Sequence, residues 1–183
     1  MKIKTTGREN TGKGSYPSKI ITIFQVKTET QITAVQELFR EYTTWAFTLT
    51  DHSEQAPTFQ GLEEELATLP GIYTPPAGRL LMAMYGEEPA GCICLKGHDA
   101  TTCELKRLYV RPKFRGLNIG WQLVNRLVEE ARQARYKRIV LDSHKSMKKA
   151  HALYQAVGFQ RVDTPDNFPE ALKPLVVFME CDM

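Results

Sequence analysis

The spacing of apolar residues along the chain predicts a series of short strands and amphipathic helices. Runs of β-branched and other apolar residues bounded by turn residues are typical of strands. Such runs cover 20–26, 80–85, 89–95, 102–110, 137–143, 159–162 and 175–183. Apolar residues that recur every three or four positions are typical of helices that bury one face. These segments cover 32–47, 61–69, 123–135 and 146–157. Two segments are expected to lack regular structure, the polar connector 50–60 and the Pro- and Gly-rich stretch 70–78.

The order of the predicted elements, β-α-α-β-β-β-α-β-α-β-β, indicates a mixed α+β fold. Only short turns separate the three strands between 80 and 110, which predicts an antiparallel meander. A helix lies between 102–110 and 137–143, and this predicts that the two strands pair in parallel, because parallel neighbours need a crossover. We expect one domain over 19–183, preceded by a disordered tail over 1–18 that is rich in Gly, Thr and Lys.

The composition of the 183-residue chain limits its partners. Lys and Arg number 24 against 21 Asp and Glu, so a net charge of +3 gives no global field that favours nucleic acid or an anionic membrane. No apolar run approaches the roughly 18 residues of a membrane span, and the first residues lack the apolar core of a secretory signal. We therefore expect a cytoplasmic protein with no membrane or nucleic-acid partner.

The cysteines predict free thiols and no metal site. They form no C-x-x-C pair, and no histidine pair lies at zinc spacing. Cys92 and Cys94 are two positions apart on one predicted strand, so they are expected to share a face. Buried free thiols are typical of a reducing compartment. The four cysteines are Cys92, Cys94, Cys103 and Cys181.

The stretch RPKFRGLNIG (111–120) joins a predicted strand to a predicted helix. A helix start exposes unpaired N–H groups and the positive end of the dipole, which suits a phosphate. Gly116 and Gly120 remove side-chain bulk there, and Asn118 tolerates positive φ. The stretch is not a P-loop, because Lys-Ser/Thr does not follow the last glycine. Read alone, the stretch is either a phosphate cradle or a tight turn whose three basic residues are solvated; these residues are Arg111, Lys113 and Arg115.

Two motifs in this order resemble the GNAT superfamily of acyl-CoA-dependent N-acetyltransferases. The family pattern L-x-V-x-P-x-x-R-G-x-G-I-G is similar to LYVRPKFRGLNIG at 108–120. The pattern A-x-x-L-Y-x-x-x-G-F matches AHALYQAVGF at 150–159. The resemblance covers roughly 19–183. It implies a mixed, mostly antiparallel sheet with a central splayed parallel strand pair, flanked by helices.

The resemblance also implies acetyl-CoA as co-substrate, no metal, and direct attack by an amine in a ternary complex. The cofactor's pyrophosphate is expected on the loop and its pantetheine arm along the preceding strand. Asn118 departs from the family's usual glycine; we expect it to keep the backbone shape and to cap the helix. Met147 stands where many relatives have an Asn that contacts the cofactor. The expected cofactor residues are Leu108, Tyr109, Val110, Arg115, Gly116, Leu117, Asn118, Ile119 and Gly120.

Two residues are the catalytic candidates. Tyr154 matches the family position of the acid that protonates the departing thiolate; the alternative is a packed helix aromatic. Glu104 is the candidate base, directly or through a water; the alternative is a solvated pair with Lys106. Strict strand alternation predicts that one face carries Glu104, Lys106 and Leu108. The other face then carries Leu105, Arg107 and Tyr109.

The acceptor amine is expected to contact residues from 42–79 and from the end of strand 137–143. Asp142 and His144 can orient the substrate or serve as base, and Tyr42 and Arg107 are further substrate candidates. Other aromatics available to this pocket are Trp45, Phe59 and Tyr73. The acidic run Glu63–Glu65 is expected to attract a cationic amine or to form a solvated face. The basic residues of the helix start, Lys145, Lys148 and Lys149, fit the cofactor's 3′-phosphate or a solvated cluster.

Two function classes remain open beside the enzyme. A non-catalytic acyl-CoA sensor on the same fold is compatible with Asn118 and Met147, although Glu104 and Tyr154 favour catalysis. A nucleic-acid-binding protein is disfavoured by the modest charge and the absence of a basic stripe. The sequence does not name the acceptor and allows a monomer or a homodimer.

Overall fold

The computed structural model describes residues 20–49, 61–166 and 168–183, so the predicted tail 1–18 and the connector 50–60 lie outside the described residues. All predicted strands and helices are confirmed, with boundaries shifted by a few residues. The elements are β1 (Ile21–Gln25), α1 (Glu29–Phe47), α2 (Leu62–Thr68), β2 (Arg79–Tyr85), β3 (Glu88–Gly97), β4 (Thr102–Val110), α3 (Ile119–Gln133), β5 (Arg138–His144), α4 (Lys148–Val157), β6 (Gln160–Val162) and β7 (Val176–Asp182).

Two differences from the predicted elements concern the start of α1 and the segment 70–78. Helix α1 begins three residues before the apolar periodicity, because Thr28 and Gln31 form a reciprocal capping box at its start. The Thr28 hydroxyl accepts a hydrogen bond from the Gln31 backbone, and the Gln31 side chain accepts one from the Thr28 backbone. Within 70–78, which was predicted to be irregular, Gly71–Tyr73 forms one turn of 3₁₀ helix.

The seven strands form one sheet in the order β1-β2-β3-β4-β5-β7-β6. Every neighbouring pair is antiparallel except β4 and β5, which confirms the predicted meander and the predicted parallel pair. Strands β4 and β5 pair only from Thr102↔Arg138 to Glu104↔Val140. Beyond that row β4 stays with β3 and β5 stays with β7, so a gap opens in the middle of the sheet.

A β-bulge in β4 makes the predicted face alternation wrong. Cys92 pairs with Tyr109 whereas Cys94 pairs with Lys106, so β4 has one extra residue at this point. Arg107 adopts the left-handed conformation there, with φ of 57°. One extra residue reverses the faces of all that follow. Leu108 therefore packs with Leu105 in one apolar cluster, while Tyr109 belongs to the other.

Two apolar clusters, one on each face of the sheet, form the core. Helices α3 and α4 cover the first face, and the buried stripe of α3 is centred on Leu123 and Leu127. Helices α1 and α2 cover the second face, where Leu38 and Phe39 are fully buried. The four cysteines are buried and free, and Cys92 and Cys94 lie in the same cluster as predicted. The gap between β4 and β5 thus lies between two helical layers.

Candidate active site

A cavity of about 680 Å³ lies where β4, the loop after it, and the first turns of α3 and α4 meet. Small-molecule sites typically have volumes of about 300–1,000 Å³. Eight of the nine residues predicted to bind the cofactor line this cavity, whereas Leu117 does not and is 39% exposed. The eight are Leu108, Tyr109, Val110, Arg115, Gly116, Asn118, Ile119 and Gly120.

The loop at one end of the cavity has the backbone geometry of an anion cradle. Gly116 and Asn118 both adopt positive φ, of 86° and 63°. Asn118 therefore keeps the predicted backbone shape, but its side chain makes no capping hydrogen bond, so the predicted cap is wrong. The first turn of α3 also contains no acidic side chain. Its N–H groups are consequently left for a ligand in the cavity.

Arg115 is held above two aromatic rings at the mouth of this loop. Its guanidinium carbon lies 5.1 Å from the ring centroid of Trp45 and 5.9 Å from that of Tyr109. Its Nε donates a 3.0 Å hydrogen bond to the Val110 carbonyl. The sequence assigned Trp45 to the acceptor pocket, but the indole lies in the wall of this cavity. No sequence signal placed it there, because the contact depends on how α1 packs across β4.

The start of α4 forms the opposite wall of the cavity. Lys148 and Lys149 line it and have no ion-pair partner within the parts of the chain that are described, whereas Lys145 lies outside the wall. Met147 also lines the cavity. Two apolar lining residues of α4, Ala150 and Leu153, belong to the second motif but were not singled out from the sequence.

Tyr154 lies on α4 within the apolar cluster of the first face and is not among the residues that line the cavity. It is buried, and its ring centroid is 5.8 Å from that of Phe159. Within the described residues its hydroxyl has no hydrogen-bond partner. Burial raises the pKa of Tyr154, and the nearby Tyr42 and Asp142 raise this pKa further. Tyr42 belongs to the opposite face of the sheet, so these groups act on one another across the gap.

Two carboxylates on adjacent strands lie near this gap and differ in their partners. Glu104 accepts from Lys106 Nζ at 2.9 Å and lies 3.0 Å from His98 Nε2. His98 lies in the β3–β4 turn and was not predicted from the sequence, because no motif or spacing indicates that it contacts Glu104. Asp142 has no side-chain partner within the described residues and is solvent-accessible. Although Asp142 is exposed at its surface, the protein atoms around its carboxyl group partly desolvate it and raise the pKa of Asp142, an effect that Lys106 opposes and Glu104 reinforces.

His144, at the end of β5, is directed toward the start of α4. Its Nδ1 lies 2.7 Å from Ser146 Oγ and 3.3 Å from the Ser146 backbone nitrogen. Ser146 itself lines the cavity. His144 therefore supports the turn that leads into α4 beside the cavity.

The bulge in β4 directs Arg107 into the second apolar layer, where it meets α2. Its Nε and Nη2 both donate to the Glu65 carboxylate, to which the Tyr73 hydroxyl also donates. The guanidinium also lies 5.6 Å from the Phe39 ring and 5.9 Å from the Tyr42 ring. Burial is the largest single effect and lowers the pKa of Arg107, but the hydrogen bond and the charge of Glu65, together with Tyr73 and Tyr42, outweigh it, so the pKa of Arg107 is raised.

The expectation that Glu63–Glu65 attracts a cationic amine is wrong for Glu65, because Arg107 already neutralises it. Glu63 is 79% exposed and lies 3.8 Å from Arg40. The predicted aromatic Phe59 falls outside the described residues. Over 20–49, 61–166 and 168–183, no three His, Cys, Asp or Glu side chains cluster as metal ligands, and no helix has the length and apolarity to cross a membrane.

Comparison with known proteins agrees with this architecture. The sequence model described as the acetyltransferase (GNAT) family matches residues 32–159. An uncharacterised N-acetyltransferase of Schizosaccharomyces pombe is 35% identical over 128 residues, which span 69% of this chain and 77% of the relative. The N-acetylaspartate synthetase of Danio rerio is 29% identical over 109 residues, 58% of this chain and 39% of the relative.

A solved structure shares the fold. The PaiA N-acetyltransferase of Thermoplasma acidophilum, crystallised with coenzyme A, superposes with a TM-score of 0.71 over 90% of this chain and 99% of the other, at 19% identity.

Proposed function

The chain belongs to the GNAT family of acetyltransferases, and we propose that it transfers an acetyl group from acetyl-CoA to a primary amine by direct attack in a ternary complex. The observation that carries the proposal is the cavity lined by the anion-cradle loop, by the end of β4 that no longer pairs with β5, and by the start of α4. Crystal structures of related folds with coenzyme A or acetyl-CoA bound support the choice of donor.

The cavity offers a separate partner for each part of acetyl-CoA. The pyrophosphate fits the loop over 115–120, where Arg115 adds positive charge. Lys148 and Lys149 supply cations for the 3′-phosphate at the opposite wall. Beyond Glu104 the β5-facing backbone groups of β4 have no strand partner, so they can bond the amides of the pantetheine arm as an added strand would.

The reaction needs one group to take a proton and another to give one. The amine nitrogen attacks the thioester carbon, so a C–N bond forms and the C–S bond breaks. The ammonium first loses one proton to a base, and the departing thiolate takes a proton from the Tyr154 hydroxyl. The second proton, which the nitrogen sheds as it becomes an amide, returns the phenol to its neutral form. A free phenol suits this role, because it can donate to sulfur without first breaking another hydrogen bond.

Asp142 is the base that the geometry favours. One Glu104 oxygen contacts the Lys106 ammonium and the other contacts the His98 ring, so taking a proton would disrupt those contacts. The Asp142 carboxylate lacks such partners and acts electrostatically on Tyr154. Its raised pKa brings it closer to neutral pH, which favours a general base. Glu104 acting through a water is the alternative.

The test measures initial rates of thiol release while acetyl-CoA and a panel of primary amines are varied. Direct attack predicts intersecting double-reciprocal plots and no acetylated enzyme by mass spectrometry. Because Asp142 must be ionised to act, kcat/KM should fall as pH drops through a pKa above the usual aspartate value of about 3.9. Glu104→Gln removes one of the charges that raise the pKa of Asp142. The variant should stay active, and the fall of kcat/KM on the acid side of its pH profile should move to lower pH.

Several outcomes discriminate the assignments. Asp142→Asn should abolish most turnover, whereas Tyr136→Phe, far from the gap, should not. Loss of all turnover in Glu104→Gln would transfer the role of base to Glu104. Saturable acetyl-CoA binding with no turnover across the whole panel would favour the non-catalytic sensor instead.

A further inference from the structure

A second groove lies on the face of the sheet that carries Asp142. It has a volume of about 360 Å³ and lies between α2, the turn that follows it, and strands β3 and β4. Its sheet side is formed by Lys96, Lys106 and Arg107, and its helix side includes Glu64 and Glu65. This volume suits a small molecule. The lining does not include Asp142, the carboxylate to which the proposed function assigns the proton transfer; Asp142 lies on β5, the strand beside the one that carries Lys106 and Arg107.

Among the residues that the structure describes, pairing leaves one cation of this groove without a partner. Arg107 is paired with Glu65, and Lys106 is paired with Glu104. Lys96 is half-buried, yet its ammonium has no hydrogen-bond or ion-pair partner within the described residues. A partly buried charge without a partner is unfavourable, so the position favours an anionic ligand group.

The strand register sets the separation between this cation and Asp142. Lys96 pairs with Glu104, which pairs with Val140, so the three form one row across β3, β4 and β5. Asp142 lies two residues further along β5. Strand spacing and rise put the Lys96 and Asp142 Cα atoms about 12 Å apart. With the lysine side chain extended toward Asp142, the remaining distance fits a small molecule that carries an amine at one end and an anion at the other.

We propose that this groove is the acceptor site, and that the acceptor is a small amine with an anionic group, carboxylate or phosphate, which Lys96 binds while the amine lies at Asp142. The proposal rests on the acetyltransferase function proposed above. The chemistry of the transfer is unchanged, since Lys96 contacts only the non-reacting end of the acceptor.

Matched pairs of amines test the proposal. L-amino acids are compared with their α-carboxamides, and O-phosphoethanolamine with ethanolamine, with rates expressed per concentration of unprotonated amine. The wild-type protein should prefer the anionic member of at least one pair by about 10-fold or more in kcat/KM, as a charge-assisted hydrogen bond allows. The pair that shows the preference identifies carboxylate or phosphate as the anion.

The variant Lys96→Met keeps most of the side-chain stem and removes the charge. The ratio of kcat/KM between the anionic and the neutral member should fall about 10- to 100-fold, through KM for the amine, with KM for acetyl-CoA unchanged. The matched control is Lys137→Met, an exposed lysine just before β5 at the other end of that strand, which should leave the ratio unchanged.

The outcomes separate this proposal from the one on which it rests. Thiol release with neutral amines at least as fast as with their anionic partners would overturn the acceptor class and leave the acetyltransferase intact. An unchanged ratio in Lys96→Met would overturn the role of Lys96. No thiol release with any amine, despite acetyl-CoA binding, would overturn the proposed function itself.

Discussion

Replacing Glu65 with glutamine should destabilise the protein by about 3 kcal/mol, because it removes the carboxylate that pairs with the buried Arg107. The Arg107 side chain is 9% exposed and the Glu65 side chain 17%, and two guanidinium nitrogens donate to this carboxylate. Breaking a buried ion pair by removing one partner typically costs about 3–5 kcal/mol. The lower end applies here, because the guanidinium keeps its contacts with Phe39 and Tyr42, which contribute about 0.5–1 kcal/mol each at accessible sites.

The assay is urea-induced unfolding followed by circular dichroism, with the slope m compared between variants. The matched control is Glu63→Gln on the same helix, whose exposed pair with Arg40 predicts a change of less than about 1 kcal/mol. The double variant Glu65→Leu with Arg107→Met should recover most of the loss, because it removes both charges together. If Glu65→Gln proved as stable as Glu63→Gln, the ion pair would not be the link that holds α2 to the bulge of β4.

Three further substitutions test the cofactor loop and the packing of α4. Gly120→Val should weaken coenzyme A binding, measured by calorimetry, more than it lowers the free energy of unfolding. The new Cβ would meet Leu153 at an ordinary 3.4 Å, while the valine methyl groups would enter the cavity. Coenzyme A affinity equal to that of the wild type would contradict this. Asn118→Gly should keep the coenzyme A affinity and the stability of the wild type. Asn118→Val should lower the free energy of urea unfolding by about 1–2 kcal/mol, because a β-branched residue fits poorly at positive φ. Equal stability of the two variants would argue against backbone strain at this position. Burial lowers the pKa of His151, so the folded state binds this proton more weakly than the unfolded state does. The free energy of unfolding should therefore fall by up to about 1.4 kcal/mol per pH unit as the pH drops below the unfolded pKa of about 6.5. His151→Gln should flatten that slope in urea unfolding, and an identical slope would refute the role of His151.

The loop and the elements around it were predictable because their signals are local. Gly116, Asn118 and Gly120 lie within one short stretch, and the strand and helix that flank it have clear periodicity. The spacing of Leu105 and Leu108 is a local sign of the bulge at Arg107. The two leucines share a core cluster, although strict alternation would place them on opposite faces of the strand. Two apolar residues separated by two charged ones within a strand therefore indicate an extra residue on that strand.

The acceptor side could not be predicted in the same way, because its contacts join residues that are distant in sequence. Glu65 and Arg107 are 42 positions apart, and neither the acidic run of α2 nor the alternation of β4 indicates that they pair. His98 meets Glu104 only because the β3–β4 turn folds back over the strand. Trp45 reaches the cofactor cavity through the packing of α1 across β4. Each placement follows from tertiary structure and from no local pattern.

The claim that the gap between β4 and β5 is a catalytic centre is tested most directly by Tyr154→Phe. The measurement is the steady-state rate of amine-dependent coenzyme A release, with acetyl-CoA affinity determined by calorimetry on the same preparation. Loss of the hydroxyl should lower kcat by about 100-fold or more, since proton transfer by a positioned group contributes about 10²–10⁴ in rate. The affinity for acetyl-CoA should stay within a factor of about two of the wild-type value, because the substitution removes only the hydroxyl. A variant that releases coenzyme A at the wild-type rate, or a wild-type protein that binds no acetyl-CoA, would contradict the account.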